Sequence, residues 1–592
     1  MRLRWRKVAG CGALLLVLGA GVVLPGSALG EKKPDGKHPK RDAAELFFTQ
    51  TNIPILSLEI PRASLDELRN TNWQKQERPV VKATLREGDT AYTNVAVHLK
   101  GSAGSFQPVD RKPGFTLHMD KYAKDQTFHG LGKVSLNNSR QDRTYITDKF
   151  CREMYEKAGV PAPRENYVRV QLNGKDLGLY VLTEGWDKTF LKRNYKNTKG
   201  NLYDGGFAKD ITVAKQVNSG ENPEDSSDLQ ALVLAAKEPK TSTRLALLEQ
   251  HLDMEKFVTM MALDAIFWNW DGYSMNRNNY RVYHDKDHDK MVFFPHGLDQ
   301  MFWKPEGPLV PAMKGVIARA AMQIPEVRQR YLARVSDLLH GELKVETVTN
   351  RVHSLARRVR PALQAIRGEE AESYDSDLAI LLSRIQIRLA SLQRQMEGVK
   401  QVLKFEGSEP IKVTGWQQRA ESAPHQPGTK AAGKELELEA NSTQVWASTV
   451  WLEAGKYRLE GRIKTQGVVG RTDPDQTVMP ERRVVNGVVR NFVSAAGNSG
   501  GAGFKVWSER KLTEGVEWDW FPFRESRNFR SRGLLPATAA TSRLTGNAVW
   551  TPFTYEFELR QPIADLHIIF DLIASSGKAS LDPDAATLRK LK

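Results

Sequence analysis

The sequence predicts an α+β body followed by an all-β region, and three observations carry that reading. Strand-like alternation closed by the Asn173-Gly174 turn signal dominates the chain up to about Glu184. Apolar residues at helical spacing then fill Ser226 to Leu403. After Phe405, short β-type runs separated by glycine-rich turns take over, the pattern of a β-sandwich. The composition shift near Lys404 sets the domain cut, giving a body over 46–404 and a β-region over 405–592.

In chain order, structure is expected to begin near Leu46. Ile55, Leu58 and Ile60 predict a strand, and Ser64 with Glu67 forms a candidate capping box for a short helix. Val80–Leu85 and Val95–Leu99 predict strands joined through Glu87-Gly88-Asp89, and Phe115–Met119 continues the β character. Thr144–Gly159 reads as a helix stopped by glycine. Tyr167–Leu172 and Leu177–Leu182 flank the Asn-Gly turn. Helical faces follow at Leu229, Leu232, Val233 and Ala236, and at Phe257, Met261, Asp264, Ala265 and Trp268. A hairpin, Tyr280–His284 with Met291–Phe294, interrupts them. A long helical stretch over Val345–Leu403 breaks near Gly368. Beyond it, strands are expected at Glu435–Leu438, Tyr457–Ile463, Val484–Val489, Phe504–Trp507 and Leu566–Phe570.

Residues 1–30 carry the marks of a secretory signal: basic Arg2, Arg4, Arg6 and Lys7, an apolar core from Gly12 to Leu24, and small residues at Ala28 and Gly30. An uncleaved anchor is the alternative. Residues 31–45 form a basic, proline-containing leader. With 40% hydrophobic and 26% charged residues the chain is globular in composition. Two cysteines, Cys11 and Cys151, exclude a disulfide scaffold and a multi-cysteine zinc site. Loss of the four leader cations takes the formal charge from +16 to +12. The Lys and Arg residues are dispersed, so nucleic acid is not the expected partner, and anionic wall polymers or acidic glycans are. No later stretch is apolar enough to span a bilayer.

The segment Phe267–Tyr280 concentrates candidate chemistry. An apolar helix ends in a loop holding Asp271 and Asn276, Asn278 and Asn279, a hairpin follows, and Asp299 comes after it. Phosphoryl transfer in protein kinases needs an aspartate to accept a hydroxyl proton, an asparagine five residues on to hold metal, and a second aspartate beyond a hairpin. Asp271, Asn276 and Asp299 have that spacing, although asparagine-rich turns also cap helices and close hairpins without chemistry. Lys100-Gly101-Ser102-Ala103-Gly104-Ser105 follows a strand and could bring backbone N–H groups to phosphate. Lys112 is the first choice for a phosphate contact and Lys100 the second; an ordinary loop with a solvated lysine is the alternative. No Walker A ending, zinc helix or nucleophile elbow is present. Asp285-Lys286-Asp287-His288-Asp289 lacks the glycine and glutamate of a calcium loop and reads as a solvated turn. His296 is a base or a structural residue.

These residues resemble the CotH kinase-like family of spore-coat proteins. The carriers are Lys100-Gly101-Ser102, Leu136-Asn137-Asn138, Asp142, Val170 through Tyr180, Thr183-Glu184, Asp271 with Asn279-Tyr280, and Pro295–Asp299. The resemblance covers roughly residues 50–400. It implies an atypical protein-kinase-like fold, with an antiparallel β-rich N-lobe and a helical C-lobe, that uses ATP and Mg²⁺. It makes Asp271 catalytic and Asp299 a metal ligand, with Asn276 or Asn278 as the second. Lys112, Lys100, Gly101, Ser102 and Glu184 become the expected nucleotide contacts. The chain departs from the family at His296-Gly297, where a tryptophan and an acidic residue are usual. The C-terminal region is similar to jelly-roll carbohydrate-binding modules through Leu452–Leu459 and Asp582–Leu591. Trp446, Trp451, Trp507, Trp518, Trp520 and Trp550 are its candidate sugar platforms, against burial in a core.

The function expected is an exported CotH-like kinase that moves the ATP γ-phosphate to Ser or Thr hydroxyls of surface or envelope proteins. It would be periplasmic, cell-surface or extracellular, with no transmembrane segment after signal cleavage, and its sandwich would meet a glycan or wall polymer. The alternative is a non-catalytic adhesion or structural protein that uses both parts for binding only.

Overall fold

The computed structural model describes residues 43–74, 77–366, 368–399, 403, 405, 409–421, 424, 428–431, 433–471, 481–485, 488–492, 500–508, 534–535, 537–559 and 563–591. The signal and most of the leader, Lys404, Trp518 and Trp520 lie outside them. The chain enters with α1 (Ala43–Thr49), three residues earlier than the sequence indicates, because Phe47 and Phe48 are anchored in the core. Then come β1 (Ile55–Glu59), α2 (Arg62–Arg69), β2 (Val81–Glu87), β3 (Thr90–Lys100), β4 (Gly114–His118), β5 (Lys133–Asn137), α3 (Thr147–Lys157), β6 (Glu165–Leu172) and β7 (Lys175–Glu184).

The seven strands close into a barrel in the order β1-β2-β3-β4-β5-β7-β6. The expected sheet is antiparallel; the closure is not, since β1 runs parallel to β6 with Ile55 opposite Arg169 and Leu58 opposite Leu172. Closure leaves no unpaired edge. Val95, Val97 and Leu99 alternate inward and meet Leu58, Leu85, Phe115, Leu136, Val170 and Leu182. The outward row is polar: His98, Thr116, Ser135, Thr183 and Glu165 are successive partners across β3, β4, β5, β7 and β6. Asn173 and Gly174 both take positive φ, as a two-residue hairpin turn requires. The Asn173 amide also bonds the Ile60 N–H and carbonyl, which pins the hairpin to the end of β1. The capping box does not form: α2 begins after Pro61 with no side-chain cap, so Ser64 lies inside its first turn.

The second half contains α4 (Lys188–Asn194), β8 (Leu202–Asp204), β9 (Val217–Ser219), α5 (Ser227–Lys237), α6 (Thr241–His251), α7 (Met254–Phe267), α8 (Tyr273–Asn276), β10 (Tyr280–Asp285), β11 (Lys290–Pro295), α9 (Val316–Met322), α10 (Pro325–His340), α11 (Val345–Ile366) and α12 (Glu369–Val399). The hairpin of β10 and β11 extends into a four-stranded sheet through β8 and β9. One core joins α3, α7, α10, α11 and α12. Gly368, at φ +131, separates α11 from α12 where the sequence places the break.

Beyond α12 the described residues form strands only. The strand Ile563–Leu581 is their spine. Its first half pairs with Gln444–Leu452 and Gly501–Trp507, its second half with Leu436–Glu439 and Gly455–Gly470, all antiparallel. The alternating faces bury Val450, Tyr457, Leu459, Phe504, Phe557, Ile568 and Phe570 in a separate core. Glu481–Val485 and Val488–Phe492 pair as expected for a hairpin, whose Asn486-Gly487 turn lies outside the described residues. Among the described residues no helix is long and apolar enough to cross a membrane.

One candidate sugar platform is a core residue instead. Trp451 is 3% exposed and belongs to the helical core, with Arg328 of α10 5.8 Å over its ring and Arg328 also on Glu453 at 2.5 Å. Trp451→Ala is expected to cost about 3–5 kcal/mol, the usual range for emptying a buried aromatic site. Chemical denaturation with helix and tryptophan signals recorded together would check it; a change under about 1 kcal/mol would refute the anchoring role.

Candidate active site

The site is assembled at the end of α7. Asp264 is buried in that helix, and its carboxylate accepts from Tyr155 on α3 (2.6 Å), Asn269 (2.8 Å) and Ser274 on α8 (2.7 Å). Burial pushes its pKa up and those three donors push it down, with burial prevailing. The helix ends at Trp268 in the left-handed region, and the Asn269 N–H donates back to the Asp264 carbonyl. Gly272 is needed there, because a Cβ would fall 2.4 Å from the Asn269 amide. Arg388, fully buried on α12, donates to the carbonyls of Ala265 and Ile266 and lies 5.4 Å over the Trp268 ring. A cation thus satisfies carbonyls that the last turn of α7 leaves open.

This loop presents Asp271. Asn276 donates to its Oδ1 at 2.7 Å, and Asn278 and Asn279 to its Oδ2 at 3.0 and 2.9 Å. Burial raises the Asp271 pKa and the three amides oppose the rise. Asn278 spends its own oxygen on the Ala208 N–H, whereas no described group donates to Oδ1 of Asn276. Of the two asparagines, Asn276 therefore keeps an oxygen to offer.

Asn279 joins this loop to the one after β11. The His296 N–H donates to the Asn279 carbonyl at 2.9 Å, and a Cβ on Gly297 would sit 3.0 Å from the Asn279 side chain. The Leu298 N–H donates to Asp148 on α3 at 3.2 Å, and Asp299 follows. Burial, then the charges of Asp148 and Asp142, push Asp299 up to about 7, with Lys100 opposing. Lys100, at the end of β3, feels Asp148, Arg152, Glu165 and Asp299, while burial lowers its pKa. No described group takes a hydrogen bond from its Nζ. Its stem lies over Gly114, where a Cβ would come 2.8 Å from Lys100 Cγ. Arg152 bridges Asp148 (2.8 Å) and Glu165 (3.0 Å), and burial with Asp148 drives Glu165 up to about 8. Arg152 Nη1 and Glu165 Oε2 are buried without a partner.

The structure therefore bonds Asp271 to its asparagines, ties that loop through Asn279 to the segment leading to Asp299, and sets Lys100 within the charge field of Asp299. Other expected contacts are committed elsewhere. Lys112 donates to Tyr145 (2.6 Å) and Glu370 of α12 (2.9 Å), sharing none of the partners of Lys100. Glu184 has both oxygens on Arg164 and Arg193. The Ser102 N–H donates to Ser105 Oγ, and its carbonyl accepts from Ser105 and Phe106, so the loop closes on itself. Gly101 serves that closure, since a Cβ would meet the Phe106 backbone at 2.9 Å. Lys100, unlike Lys112, has no hydrogen-bond acceptor among the described residues. Asp148, Arg152 and Glu165 escaped the sequence reading, although the i,i+4 spacing of Asp148 and Arg152 was a visible signal.

The oxygens of Asp299 and Asn276 suit Mg²⁺, which is usually held by one or two carboxylates plus substrate phosphates. Among the described residues no three or more His, Cys, Asp or Glu could hold a metal by themselves.

Two expected outcomes follow from this geometry. Asp264→Leu strands three buried donors and is expected to cost at least about 3 kcal/mol in a denaturant titration, at about 1–3 kcal/mol for each unsatisfied group. The second concerns the far end of the hairpin, where His284 has one ring nitrogen on Asp228 and the other on Asp289, both at 2.8 Å. The bond to Asp228 raises the His284 pKa above 6.5 despite burial. Asp228 is raised by burial but lowered more by His284 and Tyr203, to below 3.8. A raised histidine stabilises fully below 6.5 and loses that contribution as pH climbs through its folded value. The lowered aspartate stabilises above 3.8 and loses it as pH falls through its folded value. Wild type should thus lose melting temperature above pH 6.5 relative to His284→Gln; parallel pH profiles would refute the clamp.

A family model described as CotH kinase protein matches residues 97–401. Inner spore coat protein H of Bacillus subtilis is 19% identical over 363 residues, spanning 57% of this chain and 96% of that protein. Invasin CotH7 of Rhizopus delemar is 23% identical over 180 residues, 28% of this chain and 30% of the invasin. Invasin CotH3 of the same organism is 25% identical over 188 residues, 28% and 31% of the two chains. Among solved structures, the Helicobacter pylori proinflammatory kinase CtkA aligns over 54% of this chain and 95% of its own, at 8% identity and a TM-score of 0.21, an overlap too loose to carry an argument.

Proposed function

The chain belongs to the CotH kinase family, and from that premise we propose that it transfers the γ-phosphate of ATP to Ser or Thr hydroxyls of surface or envelope proteins. The observation that carries the proposal is Lys100, an ammonium on the barrel with no described hydrogen-bond acceptor, set within the charge field of Asp299. Lys100 would hold a phosphate oxygen, and Asp299 with Asn276 would hold Mg²⁺. When bound with the nucleotide, Mg²⁺ supplies charge neutralisation at the phosphoryl oxygens. Asp271 accepts the hydroxyl proton as the substrate oxygen bonds to the γ-phosphorus and the bond to the departing ADP breaks. Its three asparagine donors fix the carboxylate for that transfer, and its raised pKa brings it closer to working pH.

Export is supported by the basic and apolar pattern of residues 1–30. A surface or coat location is supported by relatives named as a spore coat protein and invasins. The β-region would add a jelly-roll glycan contact through Trp446, Trp507 or Trp550. The invasin names favour one competing reading, a binding-only surface protein.

Calorimetry with Mg-ATP and a labelled-phosphate assay separate the readings. Asp271→Asn is expected to keep ATP affinity and lower phosphotransfer by about 10²–10⁴-fold. Asp299→Ala and Lys100→Met are expected to weaken ATP binding itself. Undiminished transfer by Asp271→Asn would remove its role as base. A wild type that binds no nucleotide would leave the binding-only reading.

A further inference from the structure

His296 directly follows β11, and one of its ring nitrogens is held inside the fold. Its Nδ1 accepts from Trp186 Nε1–H at 3.1 Å. An indole N–H only donates, so Nδ1 presents its lone pair and the ring proton sits on Nε2. Trp186 is held by stacking on Phe294 (5.7 Å between ring centres) and an edge contact with Phe190 (4.7 Å), which fixes the donor. No described group meets Nε2. The charges that act most strongly on the ring are positive: Arg281, Arg152, Lys100 and Lys133. Burial and these cations hold the imidazole far below its ordinary pKa, so it stays neutral. Arg281 is paired with Asp204 at 2.8 Å and Arg152 with Asp148, but Lys100 has no such pairing.

We infer that His296 donates its Nε2–H to an outer phosphate of the bound nucleotide, alongside Lys100. The inference rests on the nucleotide reading above and deepens it by naming the group recognised, a polyphosphate and not the nucleoside. An imidazole kept neutral among cations supplies a directed hydrogen bond without adding a fifth positive charge. It comes three residues before Asp299, which that reading places at the outer phosphates, and its backbone is tied to Asn279 of the Asp271 loop. Hydrogen bonds to charged acceptors are the stronger class, so the contact should be measurable in affinity.

Titration calorimetry of the full chain with Mg-ATP, AMP and inorganic tripolyphosphate tests it. His296→Phe is expected to weaken Mg-ATP and tripolyphosphate about tenfold to a hundredfold and to leave AMP unchanged. His296→Gln, whose amide N–H replaces the donor, is expected to recover most of the loss. Trp186→Phe keeps the ring packing but releases the tautomer, and an intermediate loss is expected. Equal affinity in His296→Phe, or an equal loss for AMP, overturns the inference and leaves the kinase reading standing. Tripolyphosphate binding that depends on His296, without ATP binding, supports the anion contact and sinks the nucleotide reading. Binding of neither by wild type overturns both. If His296→Phe melts early, the Gln and Trp186→Phe variants decide.

Discussion

Asp264 is a carboxyl group buried inside α7, and the site is built around satisfying it. A buried charge left unpaired costs several kcal/mol, so its three donors are obligatory. They come from different elements: Tyr155 on α3, Asn269 in the loop and Ser274 on α8. Meeting that one requirement positions the end of α7, the loop that carries Asp271 and the helix that packs behind both. Arg388 works the same way with opposite sign, since its buried guanidinium needs the carbonyls that α7 leaves open. Apolar packing fills the lobe, but hydrogen bonds with fixed directions set the geometry of the loop.

The two halves of the site differ in how they treat charge. Around Asp271 the partners are neutral amides, which orient a carboxylate and leave its capacity to take a proton. Around Asp299 the neighbours are charged: Asp148 on α3, itself paired with Arg152, Asp142 before that helix, and Lys100 from the barrel. Arg152 Nη1 and Glu165 Oε2 stay buried there without hydrogen-bond partners among the described residues. Asn279 couples the halves by bonding Asp271 through its side chain while its carbonyl receives the His296 N–H.

Local chemistry was legible in the sequence where it decides structure. The Asn173-Gly174 turn, the Gly368 break and the hairpin before Asp299 follow from backbone preferences within a few residues. Barrel closure does not, because the parallel pairing of β1 with β6 depends on partners more than a hundred residues apart. The same limit explains the two lysines. Lys112 looks available in sequence, but Glu370 on a distant helix takes its charge. Lys100 looks like the start of a loop, but strand alternation turns it outward beside the polar row, within the charge field of Asp299. Glu184 reads as part of a motif, and Arg164 and Arg193 claim it in three dimensions.

The β-region is tied to this geometry through α12. Besides Arg388, that helix carries Gln395, whose oxygen accepts from the Leu309 N–H at 2.6 Å and whose amide donates to the Gly307 carbonyl at 3.1 Å. Gly307 lies against the Trp268 ring, where a Cβ would come within 2.4 Å. The opposite connections of α12 run to the strands Gln444–Leu452 and Ile563–Leu581. Trp451, on the first of these strands, is sealed into the helical core beneath Arg328. A displacement of the β-region would therefore have to move α12 or break that seal. Moving α12 would disturb the residues that hold the end of α7 and the loop beyond Asp299. The β-region is thus joined to the end of α7 through one helix, whose Arg388 bonds the last turn of α7 and whose Gln395 bonds the 307–309 segment.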